Sequence, residues 1–148
     1  MGLADTISKL LCNKRWDYRV DICLERTKFF AWESDILILN KSKHLEEVEI
    51  KVSVSDFKRD FKDKKAKHDK LSRGLTPIAY FWFAVPNTIA KEVKPLLPPY
   101  AGLLVINIEG FYNVTTYVQA PKLSGGKTQG LAMENKLLKK IYRKMWRM

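Results

Sequence analysis

The 148-residue chain predicts an α/β fold, a mixed β-sheet flanked by helices. Three observations carry this expectation. Apolar residues recur at spacings of three and four near both ends, as on a helix. Between them lie several short apolar segments with strand periodicity. The order helix, three strands, helix, strand, helix, strand joins short hairpin-like links to a helical crossover, which mixes antiparallel and parallel pairing in one sheet. A hydrophobic fraction of 46% is enough for a core. The length suits one domain: a core over about 3–120, a hinge at 121–130 and a C-terminal helix at 131–148.

The elements follow in order. Leu3, Ile7, Leu10 and Leu11 mark a first helix ending near Leu11. Trp16, Tyr18, Val20 and Ile22 alternate and predict a strand over Trp16–Leu24. Phe29–Leu39 reads as a second strand, its Ile36-Leu37-Ile38-Leu39 run suited to burial on both faces. Asn40–His44 is a polar turn. In Leu45–Val54, Val48, Ile50, Val52 and Val54 alternate with Glu47, Glu49, Lys51 and Ser53, so a third strand is expected there. Ser55 and Asp56 are candidate caps for a helix over Phe57–Leu71, and Arg73–Pro77 breaks it. Ile78–Val85 is apolar on both sides and should be a central strand. Thr88–Lys94 is a short helix, Pro95, Pro98 and Pro99 form a rigid loop, and Leu103–Ile108 and Phe111–Val118 are strands turned by Glu109-Gly110. Phe81, Trp82 and Phe83 fall to the core rather than to base stacking.

Charge narrows the partners. With 27 Lys and Arg against 16 Asp and Glu, net charge is +11, which favours a polyanion: nucleic acid before an anionic membrane. The bland alternative is a basic surface that serves solubility alone. Cys12 and Cys23 are too few for a disulfide framework and are expected as reduced core residues. Met1–Leu11 lacks the pattern of a signal peptide, and Ile78–Val85 and Leu103–Ile106 are too short to span a bilayer. A cytoplasmic protein with no membrane partner is therefore expected, in a bacterial or phage-infected cell.

The candidate chemistry centres on Asp35, Glu49 and Lys51. Glu49 and Lys51 share one face of their strand, and a tight turn brings Asp35 of the preceding strand beside them. Two carboxylates suit Mg²⁺ or Mn²⁺, which bind through one or two such groups plus phosphate. Such a metal activates water and offsets phosphate charge. Lys51 can orient that water or stabilise developing charge, and the Ile50 carbonyl can add a ligand. The competing expectation is a solvated Glu49–Lys51 pair of little energetic weight.

Three segments, Glu33–Leu39, Glu47–Ser53 and Asp56–Lys62, resemble the PD-(D/E)XK nucleases, in particular small phage and bacterial members related to MmcB-like DNA-repair proteins. Tyr80–Pro86 and Tyr100–Leu104 resemble later strands of the same family. The resemblance covers Glu33 to Lys122. It implies an αβββαβ restriction-endonuclease-like core, dependence on Mg²⁺ or Mn²⁺, and a nucleic-acid substrate. Ser34 replaces the motif's Pro. Many members also carry a Glu on the first helix, where this chain offers only Asp5. Glu33, on the strand face of Asp35, is then the candidate third acidic ligand.

Two basic surfaces accompany the motif. The Phe57–Leu71 helix carries Lys58 and Lys62 as candidate phosphate contacts, although pairs such as Asp60–Lys64 and Asp63–Lys67 also fit a wet helix face. His68 is expected to cap or pack rather than to ligate metal. In the C-terminal helix, Lys136, Lys139, Lys140, Arg143, Lys144 and Arg147 form a stripe opposite Leu137, Leu138, Ile141, Met145 and Met148. That stripe suits phosphate contact, or else a membrane surface. Gly125-Gly126-Lys127-Thr128 lacks the first glycine of a phosphate-binding loop, since Pro121 stands there. The expectation is a divalent-metal-dependent deoxyribonuclease. The alternatives are a non-catalytic nucleic-acid-binding module of the same fold and, further off, a basic adaptor. A homodimer is left open.

Overall fold

A computed structural model describes residues 2–14, 20–28, 31–40, 42, 44–123, 138–140 and 143. The element order is α1 (Leu3–Lys14), β1 (Val20–Lys28), β2 (Glu33–Asn40), β3 (Leu45–Ile50), α2 (Val54–Asp63), α3 (Lys65–Ser72), β4 (Ile78–Pro86), α4 (Ala90–Val93) with a 3₁₀ turn at Lys94–Leu96, β5 (Ala101–Asn107) and β6 (Asn113–Val118). The strands form a six-stranded sheet in chain order. β1, β2 and β3 pair antiparallel, β3, β4 and β5 pair parallel, and β6 returns antiparallel on β5. The predicted α/β class with a mixed sheet flanked by helices is the architecture found.

The inner strands of this sheet are covered on both faces, each face built from residues of one strand parity. On one face Ile36, Ile38, Val48, Ile50, Trp82, Ala84, Leu104 and Ile106 pack against Ile7, Leu10 and Leu11 of α1. On the other, Phe81, Phe83, Leu103 and Val105 meet Phe57 of α2, Leu71 of α3 and Ala90 and Val93 of α4. Towards β1, Leu24, Leu37, Leu39 and Leu45 form a smaller cluster against which Leu138 packs. Leu138, Lys139, Lys140 and Arg143 are helical, and the Lys140 ammonium donates to the Lys28 carbonyl. The apolar docking of the C-terminal helix is thus seen at Leu138. Lys136, Lys144 and Arg147 of the basic stripe, and Gly125–Thr128, lie outside the described residues.

Several boundaries differ from the sequence-based expectations. β1 runs to Lys28, beyond Leu24, and Trp16 and Tyr18 lie outside the described residues. β3 ends at Ile50, so Val52 and Val54 leave the strand although the alternation continues through them. The Lys51 N–H still donates to Ala84 O at 3.0 Å, the last bond of the β3–β4 register, and beyond it the chain turns into a helix. That helix is capped by Ser53, whose side chain accepts from Asp56 N at 3.1 Å, and not by Ser55 or Asp56. The expected Phe57–Leu71 helix is two helices, α2 and α3, broken at Lys64 with φ −117° and ψ 43°. The expectation of reduced Cys12 and Cys23 is also corrected. They are joined in a disulfide that ties α1 to β1 with Cα atoms 5.5 Å apart, because α1 packs on the sheet face to which Cys23 belongs. Among the described residues, no helix is long and apolar enough to cross a membrane.

Candidate active site

The candidate residues meet where the β2–β3 ladder ends. Ile36 pairs with Val48, so the next step of the same register sets Asp35 opposite Glu49. The pairing does not continue there. Instead, Asp35 Oδ2 accepts from Ile50 N at 2.8 Å, the side chain taking the donor that the strand no longer uses. Because side chains alternate, Asp35, Glu47 and Glu49 share the sheet face of Leu37, Phe81 and Phe83. α2 and α3 cover that face, and Glu47 and Glu49 are 0% and 1% exposed. The expected solvated Glu49–Lys51 pair is therefore not what forms. β3 is an interior strand, so the convergence lies at the end of a central strand and not at a sheet edge.

Three lysines answer these carboxylates. Lys51 Nζ lies 2.8 Å from Asp60 Oδ1 and 3.6 Å from Glu49 Oε1. Lys64 Nζ donates to Glu49 Oε1 at 2.6 Å and stands 3.4 Å from Asp60. Lys67 pairs with Glu47 and reaches Glu49 Oε2 at 3.3 Å. Its ammonium also sits over the Trp32 and Phe81 rings. Glu47 accepts further from Trp32 Nε1 at 2.8 Å and Ser34 Oγ at 3.0 Å.

The electrostatics divide the acids. Burial, then the neighbouring Glu49, raises the Asp35 carboxyl from the usual range to about 6, against the opposing pull of the Ile50 N–H, Lys64 and Lys51. Burial also raises Glu47, partly offset by Lys67. For Asp60, burial pushes upward, but hydrogen bonds from His68 and Lys51 and the charges of Lys51 and Lys64 prevail and hold it well below the usual carboxylate range. Lys64 and Lys67 are disfavoured as cations by burial, yet their acidic partners win and raise both.

Behind Asp60 a buried chain continues. His68 Nε2 is 2.6 Å from Asp60 Oδ2, and His68 Nδ1 is 2.7 Å from the Tyr100 hydroxyl. The imidazole is packed against Phe61 and stacks at 17° on Phe83. In front of Lys51 opens a cleft of about 270 Å³ lined by Ala4, Ile50, Lys51, Asp56, Arg59, Asp60, Asp63 and Lys64 among others.

Asp35, Glu49, Ile50 and Lys51 are thus brought together as expected, while Glu33 is not: it is exposed at the start of β2, paired with Lys28 of the edge strand. The acid that does join is Asp60. Among the described residues, no group of three or more His, Cys, Asp or Glu is placed to hold a metal ion. The donor chemistry nonetheless suits a hard cation held by two carboxylates and phosphate. Burial and Glu49 outweigh the Ile50 N–H, Lys64 and Lys51 at Asp35, so a cation there would favour its charged form, and Ile50 borders the cleft. Such a cation would have to share Glu49 with Lys64. Lys58 and Lys62 are exposed and do not line the cleft, where Arg59 and Lys64 stand instead.

Asp60, Lys64, Lys67 and His68 were missed as site residues, yet a signal existed. Phe57, Asp60, Lys64, Lys67, His68 and Leu71 follow spacings of three and four on one face. Their charge disguised that face as solvated. The Asp63–Lys67 pair gives way to Lys67–Glu47, since Lys67 turns inward.

The chain is similar in structure to the SPO1766 protein of Silicibacter pomeroyi, a protein of unknown function, with a TM-score of 0.61 and 21% identity over 85% of this chain and 75% of that one. At that identity the likeness establishes a shared fold alone. No family model and no curated protein matches the chain.

Proposed function

We propose that this protein is a divalent-metal-dependent nuclease that hydrolyses phosphodiester bonds of nucleic acid, DNA foremost. The observation that carries the reading is the junction at the end of β3: Asp35 bonded to Ile50 N at 2.8 Å, raised to about 6 beside Glu49, with Lys51 directly after the strand. Asp35, Glu49 and the Ile50 carbonyl would hold Mg²⁺ or Mn²⁺. When bound, the ion supplies Lewis acidity, a more acidic water and neutralisation of phosphate charge. Water oxygen adds to phosphorus, a P–O ester bond breaks, and the products are a phosphomonoester and a hydroxyl. The ammonium of Lys51, whose side chain is 14% exposed at the cleft, stabilises the charge that gathers on the phosphoryl oxygens. Arg59 and Lys64 at the cleft wall attract the backbone, and the basic C-terminal helix extends that attraction.

The test is incubation of the protein and its Lys51→Ala variant with supercoiled, linear and single-stranded DNA, in Mg²⁺, Mn²⁺ or chelator. Metal-dependent cutting by the wild type, lost in the variant, is expected. A second reading, a nucleic-acid-binding module without catalysis, is favoured by one feature: both Glu49 oxygens already have lysine partners. DNA that is bound and released by salt but never cut would select it.

A further inference from the structure

The Lys51 ammonium is held by an acid that no part of the Asp–Glu–x–Lys pattern contains. Asp60 reaches it from α2 at 2.8 Å, while Glu49, two residues back on β3, is at 3.6 Å. A carboxylate on a helix can rotate, but this one cannot do so cheaply. Its second oxygen is fixed by His68 from α3, and His68 is fixed in turn by Tyr100, just before β5. Asp60 and His68 are 3% and 6% exposed, so water offers no substitute for these bonds. With Asp60 ionised and able only to accept, His68 Nε2 carries the proton between them.

We infer that Asp60, His68 and Tyr100 are positioning residues that hold the Lys51 ammonium toward the cleft and closer to Asp60 than to Glu49. The inference rests on the nuclease reading and adds three residues to it. Without the chain, Lys51 falls back on Glu49, its nearest remaining acid, and competes there with the metal ion. Two consequences separate this role from a merely structural one. The turnover number should fall while KM for DNA stays constant, and more Mg²⁺ should be needed for half activation. Neither follows from a lower folded fraction once activity is scaled to folded protein.

The experiment compares wild type, Lys51→Ala, His68→Leu, His68→Gln and Tyr100→Phe on one DNA substrate across a Mg²⁺ series, with thermal melts to verify folding. His68→Leu keeps the bulk but no polar atom, and a loss in kcat of about 10- to 100-fold is expected, the range typical of partners that orient a site. His68→Gln retains an N–H for Asp60 and should recover most of it. Tyr100→Phe, which loses one hydroxyl, guards against a histidine variant that fails to fold, and a smaller loss in the same direction is expected. Normal kcat and Mg²⁺ demand in folded His68→Leu or Tyr100→Phe, with cutting abolished in Lys51→Ala, would overturn the inference and leave the nuclease reading intact. No cutting by the wild type in any metal overturns that reading and the catalytic role with it. Whether the chain holds Lys51 is then read by acylation with acetic anhydride, with exposed Lys58 as internal reference. Raised Lys51 labelling in the variants supports the hold, and unchanged labelling removes it.

Discussion

Asp35 ionises against the grain of its surroundings. Burial and Glu49 raise it from 3.8 to about 6, so the folded chain takes up a proton that the unfolded chain has released between those values. Below about pH 4 the group is protonated in both states and costs nothing. As pH rises through 6 the folded state loses that advantage, and above it carries the full cost of a buried charge, about 3 kcal/mol at 1.36 kcal/mol per pKa step. Asp35→Asn, which can still accept from Ile50 N, should therefore stabilise the metal-free protein at pH 8, and under the proposed nuclease reading it should also abolish cleavage. Denaturant unfolding should show little gain at pH 4 and a gain approaching that figure at pH 8; equal effects at both would remove the electrostatic account. Lys67 presents the opposite case. It is 3% exposed and its partner Glu47 is 0% exposed. Lys67→Met should cost about 3–5 kcal/mol by stranding a buried carboxylate, and adding Glu47→Gln should return part of the loss in the same unfolding experiment.

The elements show how much local pattern can reveal. The three-stranded meander, the helical crossover into a parallel strand and the apolar character of β4 were all readable from periodicity, since each is dictated by which residues must leave water. Element ends were not. Val52 and Val54 continue the alternation of β3, but Ser53 caps α2 directly after the last β3–β4 bond, Lys51 N to Ala84 O. The cap thus marks where strand gives way to helix. The break between α2 and α3 at Lys64 likewise has no helix breaker in the sequence, and only the approach of its ammonium to Glu49 gives it a setting. Close approach matters again at Gly102, opposite Trp82 in the β4–β5 pairing. A Cβ there would lie 2.5 Å from the Trp82 ring and 2.6 Å from the Ala120 nitrogen. Gly102→Ala should thus destabilise by about 1–3 kcal/mol, as overpacking does; a variant with unchanged melting temperature would show that the Ala120 segment yields freely.

Over the whole molecule, the +11 charge and the sheet's two covered faces divide the labour. Glu47 and Glu49 are sequestered beneath α2 and α3 with the inward-turned Lys64 and Lys67, while other cations remain outside. Lys139 and Arg143 are exposed on the docked C-terminal helix. Reversing both to Glu should weaken DNA binding and flatten its dependence on salt, by about 0.9 in log–log slope for each phosphate no longer neutralised, without shifting the melting temperature. An unchanged slope would take that helix out of the interface.

The sequence by itself determined the class of fold, the closeness of Lys51 to Glu49, and the proximity of Asp35. Those follow from strand periodicity and a short turn, both local. Only the tertiary structure decided that the sheet face of Glu49 is buried, that Asp60 rather than Glu33 joins it, that Lys64 and Lys67 turn inward, and that Cys12 meets Cys23. Each of these depends on which helix lies over which strand. A charged residue looks the same in sequence whether it faces water or a buried partner, because burial is set by neighbours far along the chain.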